Sequence, residues 1–277
     1  MPRIALAAES QLDTVPAKLV IKGLSKAFGG RAGVSAIDNL SLQVRAGEFV
    51  SIVGPSGCGK SSLIRIVAGL DAEFEGDVHL AHTDPGRLLT AMVFQEQSNF
   101  PWMTVRENVS YGLRMTGRLD AEGRRRVSEY IAKVGLARFE NAYPHQLSGG
   151  MRQRASVARA FAADPEILLM DEPFGALDEQ NKVLLHDELL RIWEETRKTV
   201  LFITHSIDEA LVLSDRVVVM SARPGRIKDS FEVPFERPRS VMAVKGDPRY
   251  GQLFKRVWDA LRDEVLRTRC GEERGGE

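Results

Sequence analysis

One stretch constrains this chain more than any other. Gly54-Pro55-Ser56-Gly57-Cys58-Gly59-Lys60-Ser61-Ser62 follows directly on the apolar run Phe49-Val50-Ser51-Ile52-Val53. The run reads as a buried strand that delivers a glycine-rich loop. Gly54, Gly57 and Gly59 let the backbone turn tightly and aim its N–H groups at phosphate oxygens, with Pro55, Ser56, Cys58 and Ser62 filling out the cradle. Lys60 reaches β- and γ-phosphates, and the Ser61 hydroxyl suits Mg²⁺. Residues 61–68 read as a helix whose positive N-terminal end faces the anion. Strand, loop and helix in this order imply an α/β fold that binds a nucleoside triphosphate. The loop alone leaves open a kinase, a GTPase, a motor or a transport ATPase.

At 277 residues the chain can bury a full core, as one large α/β domain with room for a small appendage. Its 38 basic and 38 acidic residues cancel, which leaves no electrostatic case for a nucleic acid partner. The cysteines are Cys58 and Cys270. A disulfide at Cys58 would obstruct the loop, which points to a reducing compartment, and a thiol reagent there is expected to block the ligand. No stretch approaches the ~18–20 apolar residues of a membrane helix, and the apolar run at the start is too short for a secretory signal. A soluble protein is expected, or one peripheral on a membrane that another chain spans. Residues 1–17 read as a tail.

Apolar alternation at 18–22 and 40–44, with 48–53, predicts an antiparallel-rich front section. Strands follow near 77–80 and 91–94. The pattern is helical from 104 to about 134, broken by Gly117 and Asp120. Ser148 is placed to cap a helix over 149–163 that Asp164-Pro165 ends. A strand at 167–170, a helix at 179–197, a strand at 199–204, a helix at 206–213 and a strand at 216–220 come next, with an amphipathic helix over about 248–267. Strands alternating with helices imply a mainly parallel core sheet covered on both faces.

A second acidic signal closes the apolar strand Ile167-Leu168-Leu169-Met170: the pair Asp171-Glu172. Asp171 falls at the C-terminal end of the strand, where ligands bind in open parallel sheets, and its carboxylate can hold Mg²⁺ directly or through water. Glu172 points elsewhere and can polarise an attacking water. Ser148 with the N–H groups of Gly149 and Gly150 makes a further anion site at a helix start. His205, at the end of another apolar strand, is placed to bond a γ-phosphate and orient water. Each of these has an ordinary structural alternative when taken singly; their joint occurrence with the phosphate loop favours function.

Leu147-Ser148-Gly149-Gly150-Met151-Arg152-Gln153 resembles the signature motif of ATP-binding cassette (ABC) ATPases, which P-loop kinases and GTPases lack. Gln95, after the strand at 91–94, resembles the Q-loop glutamine. Ala176-Leu177-Asp178 resembles the D-loop, Phe202-Ile203-Thr204-His205 the switch strand and its histidine, and Phe28 the aromatic that stacks on adenine. The resemblance covers about residues 18–235. It implies a P-loop NTPase of the ABC ATPase fold with an antiparallel β subdomain and a helical subdomain at about 96–160, leaving 236–277 as a C-terminal helical extension. It also implies ATP and Mg²⁺ as cofactors, with Ser61, Gln95 and Asp171 toward the metal and Lys60, Glu172 and His205 as catalytic residues. Two copies are expected to pair head to tail, so that Ser148, Gly149, Gly150 and Gln153 act in trans on the partner's ATP.

Phe100-Pro101-Trp102 reads as an exposed aromatic loop suited to a protein contact; in importers of this family that region receives the membrane permease. Residues 220–227 and 247–254 resemble the ATPase subunits of nitrate, sulfonate and taurine importers. That implies an ATP-hydrolysing subunit, peripheral on the cytoplasmic face of the inner membrane, which couples a dimer to uptake of a small solute through a separate permease. A solute-binding protein would take part indirectly, and no nucleic acid would. The alternative is a soluble ABC ATPase in repair or cofactor assembly, for which neither a second cassette nor a long coiled coil speaks here.

Overall fold

Leu19, Ile21 and Leu24 are buried, as are Ile37, Leu40, Leu42 and Val44, while residues between them stay partly open. This is the alternation of a sheet covered on one face. In the computed structural model, which describes residues 4–6, 16–29, 33–95, 98–175 and 178–274, these residues belong to the front sheet. Its strands begin with β1 (Ile4–Leu6), β2 (Ala17–Phe28) and β3 (Val34–Arg45). The fully buried β4 (Phe49–Val53) then leads through residues 54–59 into α1 (Lys60–Val67), followed by β5 (Glu75–Leu80). β2 pairs antiparallel with both β3 and β5, and β1 adds parallel to β5. Part of the stretch expected to be a tail is thus strand.

The chain divides into two compact units, the first formed by residues up to Thr83 and from Thr199 onward, the second by Asp84–Lys198. The second unit starts with β6 (Thr90–Val93), then α2 (Val105–Met115), α3 (Ala121–Lys133) and α4 (Gly149–Ala162), which pack on one another. Each helix start has a polar cap. Thr104 and Glu107 make a reciprocal capping box on α2, Asp120 accepts from Gly123 N–H, and Ser148 from Met151 N–H. β7 (Ile167–Asp171), buried throughout, pairs parallel with β6, and α5 (Glu179–Thr196) completes the unit.

In the first unit β8 (Thr199–Thr204) and β9 (Arg216–Met220) flank β4, both parallel to it, with α6 (Ile207–Leu213) between them in sequence. β10 (Ile227–Glu232) turns back antiparallel on β9, and α7 (Val241–Gly246) and α8 (Tyr250–Arg274) end the described chain. The expected α/β class holds: parallel core strands, an antiparallel β section and a helical section. β2 and β3 are longer than their apolar alternation suggested, because register shifts between Ile21 and Leu24 and between Leu24 and Lys26 interrupt the period of two. β10 and α7 carry too little apolar pattern to be seen in advance.

Candidate nucleotide site

The phosphate loop is shaped by its neighbours as well as by its glycines. Gly59 sits at φ 99°, and a Cβ there would meet the Ile37 side chain at 2.7 Å and the Ala36 carbonyl at 2.8 Å. Both backbone conformation and space therefore require glycine. Ser56 and Gly57 are exposed at the loop tip, whereas Lys60 is 5% exposed. The Lys60 ammonium donates to the carbonyls of Gly54 at 2.8 Å and Pro55 at 2.9 Å. No acidic residue occupies the first turn of α1, so nothing there offsets the positive end of the helix. Ser61 and Ser62 lie in that first turn, half-buried.

Cys58, expected to fill out the cradle, is fully buried beneath the loop. Burial pushes its thiol up, and Lys60 only partly offsets this.

His205 lies exposed just past β8. The strand end before it is fastened by a contact the sequence did not reveal: buried Thr204 donates to buried Glu209 at 2.5 Å and accepts from Ser206 N–H at 3.0 Å. Phe28, at the end of β2, is 47% exposed, with the Lys26 ammonium 5.0 Å from its ring centroid.

In the second unit, β7 carries Asp171 to its end at 3% exposure, and Glu172 turns away in a left-handed backbone with φ 43°. Gln95, two residues beyond β6, donates from Nε2 to Glu172 Oε2 at 3.0 Å. Two residues singled out separately, far apart in sequence, are thus brought together.

At the head of α4, Ser148 is exposed and Gly149 and Gly150 are half-buried. Arg152 ties the turn down by donating to the Leu147 carbonyl at 2.6 Å. Gln153 is buried, and its Nε2 has no hydrogen-bond partner among the described residues. Asp178 caps α5 by accepting from Asn181 N–H at 3.0 Å; Ala176 and Leu177 fall outside the described residues.

The aromatic loop is only partly open. Trp102 is 69% exposed, but Phe100 is half-buried, with its ring 4.6 Å from that of Tyr111 and under the Arg159 guanidinium at 5.5 Å. Arg159 also donates to the Ser98 carbonyl at 2.7 Å and hydroxyl at 2.6 Å. Phe100 is therefore the anchor of this loop and Trp102 its exposed ring. Arg159 carried no signal beyond its place in a charged helix, and Arg152 stood in the Leu147–Gln153 motif without a role of its own.

The first unit thus carries a glycine-rich turn behind a buried strand, and the second an acidic pair at a strand end and a capped Ser-Gly-Gly turn. The ABC transporter family model matches residues 37–175. An uncharacterized ABC transporter ATP-binding protein of Methanocaldococcus jannaschii is 47% identical over 92% of this chain and 96% of its own length. The aliphatic sulfonates import ATP-binding protein SsuB of Bacillus cereus is 45% identical over 86% of this chain and 93% of its own. The nitrate import ATP-binding protein NrtD of a Synechocystis strain is 42% identical over 88% and 95%. A solved dimeric ATP-binding cassette bound to ADP and phosphate covers 79% of this chain at 32% identity and a TM-score of 0.68.

The chain belongs to the ABC transporter ATP-binding family. It is an ABC-type ATPase. Among the described residues, no helix is long and apolar enough to cross a membrane.

Proposed function

We propose that this chain is the ATP-hydrolysing subunit of an importer, working as a pair on the cytoplasmic face of a membrane and driving uptake of a small solute such as nitrate, a sulfonate or taurine through a separate permease. The relatives named for sulfonate and nitrate import, similar over most of both chains, support the importer reading. The observation that carries the catalytic reading is the Gln95–Glu172 contact at the end of a buried strand.

Lys60, the loop N–H groups and the start of α1 bind the phosphates, and Phe28 offers a ring to the base. Glu172 takes the proton of the attacking water, while His205 orients water and γ-phosphate. The Ser61 hydroxyl, the Gln95 amide oxygen and the Asp171 carboxylate are hard oxygen donors of the kind Mg²⁺ takes beside phosphate oxygens, and that ion would supply charge neutralisation. Ser148, Gly149, Gly150 and Gln153 serve the ATP of a second copy, and Asp178 meets the same interface. Trp102 is the exposed ring for the permease. Dimer closure does work on the permease only because ATP binds the closed state better than the open one.

Glu172→Gln tests the catalytic assignment: hydrolysis is expected to fall by roughly 10²–10⁴ while an ATP-bound dimer accumulates on size exclusion. Hydrolysis at the wild-type rate would remove Glu172 from the role of base. Purification from membranes tests the importer reading. A multi-span chain should accompany the wild-type protein and be lost with Trp102→Ala; a protein recovered alone from gently solubilised membranes would point to a soluble ATPase.

A further inference from the structure

A buried carboxylate far along the chain from the phosphate loop has no part in the chemistry above. Glu264, on α8, is 2% exposed. It accepts from the backbone N–H of Ala222 at 2.9 Å, from Lys228 Nζ at 2.8 Å and from Arg267 Nη1 at 3.1 Å. Ala222 and Lys228 bracket the connection between β9 and β10. That connection is closed on itself by Ser221, whose hydroxyl accepts from Arg226 N–H at 2.9 Å. A side chain that arrives from another element and binds both shoulders of a turn fixes where the turn stands.

The turn in question is the back wall of the phosphate loop. Gly225 donates to the Ala36 carbonyl at 2.8 Å and accepts from Asp38 N–H at 3.1 Å, which binds the turn to β3. A Cβ on Gly225 would stand 2.0 Å from the Cys58 carbonyl oxygen, and one on Gly54 would stand 3.2 Å from Met220. At Gly225 the turn's backbone therefore lies directly against the loop backbone at Cys58, with the Met220 side chain packed beside it, which leaves little room for a shift. On the open side, Ser56 and Gly57 share a cleft of about 840 Å³ with Arg223, Arg226, Lys228 and Glu264.

We propose that Glu264 is a positioning residue for nucleotide binding: through the Ala222–Lys228 turn, the C-terminal helix holds the phosphate loop in its binding shape, so that displacement of α8 weakens ATP binding. This rests on residues 54–61 being the ATP phosphate cradle. The role differs from that of the residues that touch phosphate, because its loss leaves the chemistry of bound ATP intact.

The test is steady-state ATPase with Glu264→Ala and Glu264→Gln in the full chain, beside Lys60→Ala. Glu264→Ala is expected to raise KM for ATP about tenfold with kcat within about twofold of wild type, and Glu264→Gln, which still accepts from Ala222, to fall between. A second readout needs no turnover. In a Cys270→Ser background, Cys58 of native protein should react about tenfold faster with a thiol reagent when Glu264 is Ala, because the loop opens more often. A wild-type KM and labelling rate in both variants, or a fall in kcat at unchanged KM, would overturn the proposal. Lys60→Ala separates the two ideas: if it binds ATP as wild type does, the cradle reading itself fails.

Discussion

Gln95 and Glu172 stand 77 residues apart in sequence and are joined by one hydrogen bond of 3.0 Å, from the Gln95 amide to a carboxylate oxygen of Glu172. Gln95 leaves β6 and Glu172 leaves β7, and these two strands run parallel and in register from Thr90 opposite Ile167 to Val93 opposite Met170. The pairing therefore sets the contact. If Glu172 is the base, Gln95 holds it before water arrives. Gln95→Ala is then expected to lower kcat about tenfold or more while KM for ATP moves less than about twofold, the pattern of an interaction that matters in the transition state. A rise in KM at constant kcat would make Gln95 a ground-state binding residue instead.

Cys58 gives a pH-dependent readout. Its thiol is buried and pushed above its ordinary range, and only the thiolate reacts with alkylating reagents. With Cys270→Ser to leave one thiol, modification near pH 7 should be far slower than for an unfolded control. The rate should climb as pH rises toward and past the ordinary thiol range. Rapid labelling at pH 7, saturating as it would for a low-pKa thiol, would show that the side chain faces the ligand instead.

Asp164 gathers four cations of the second unit: Lys198 at 2.6 Å, Arg126 at 2.8 Å, Arg87 at 3.0 Å and Arg118 at 3.5 Å. Burial alone would raise its carboxyl, but Lys198, Arg126 and Arg87 outweigh that and hold it below the ordinary carboxylate range. Asp164→Ala leaves Lys198, 4% exposed, without its anion, and should cost about 3–5 kcal/mol of stability by denaturant unfolding. The sign with pH follows from the lowered value. The contribution is complete above the unfolded pKa and disappears as pH falls through the folded one, so wild type and Asp164→Asn should converge only in strong acid.

The elements that were legible in the sequence are those with local causes. Ser148 caps α4 as its place before the helical pattern predicts, and the apolar runs at 49–53 and 167–170 are strands buried throughout. What stayed hidden depends on distant partners. The cations around Asp164 come from positions 87, 118, 126 and 198, and nothing near Asp164-Pro165 announces them. Glu264 reads as one more charge on an amphipathic helix until its contacts with Ala222 and Lys228 are seen. Phe100 and Trp102 look alike in sequence. One becomes an anchor and the other a surface because Tyr111 and Arg159, from α2 and α4, reach only the first.

Lys60 carries one more consequence. Its ammonium already has two carbonyl partners within its own loop, Gly54 and Pro55. A phosphate that recruits it makes an exchange, surrendering two good hydrogen bonds for new ones, so the net gain is smaller than the contact suggests. Inorganic anions, which offer little beyond that swap, should compete poorly. If Lys60 is the phosphate ligand proposed above, a nucleotide would win through everything else it brings, and a lysine already satisfied within its own loop would make the site selective.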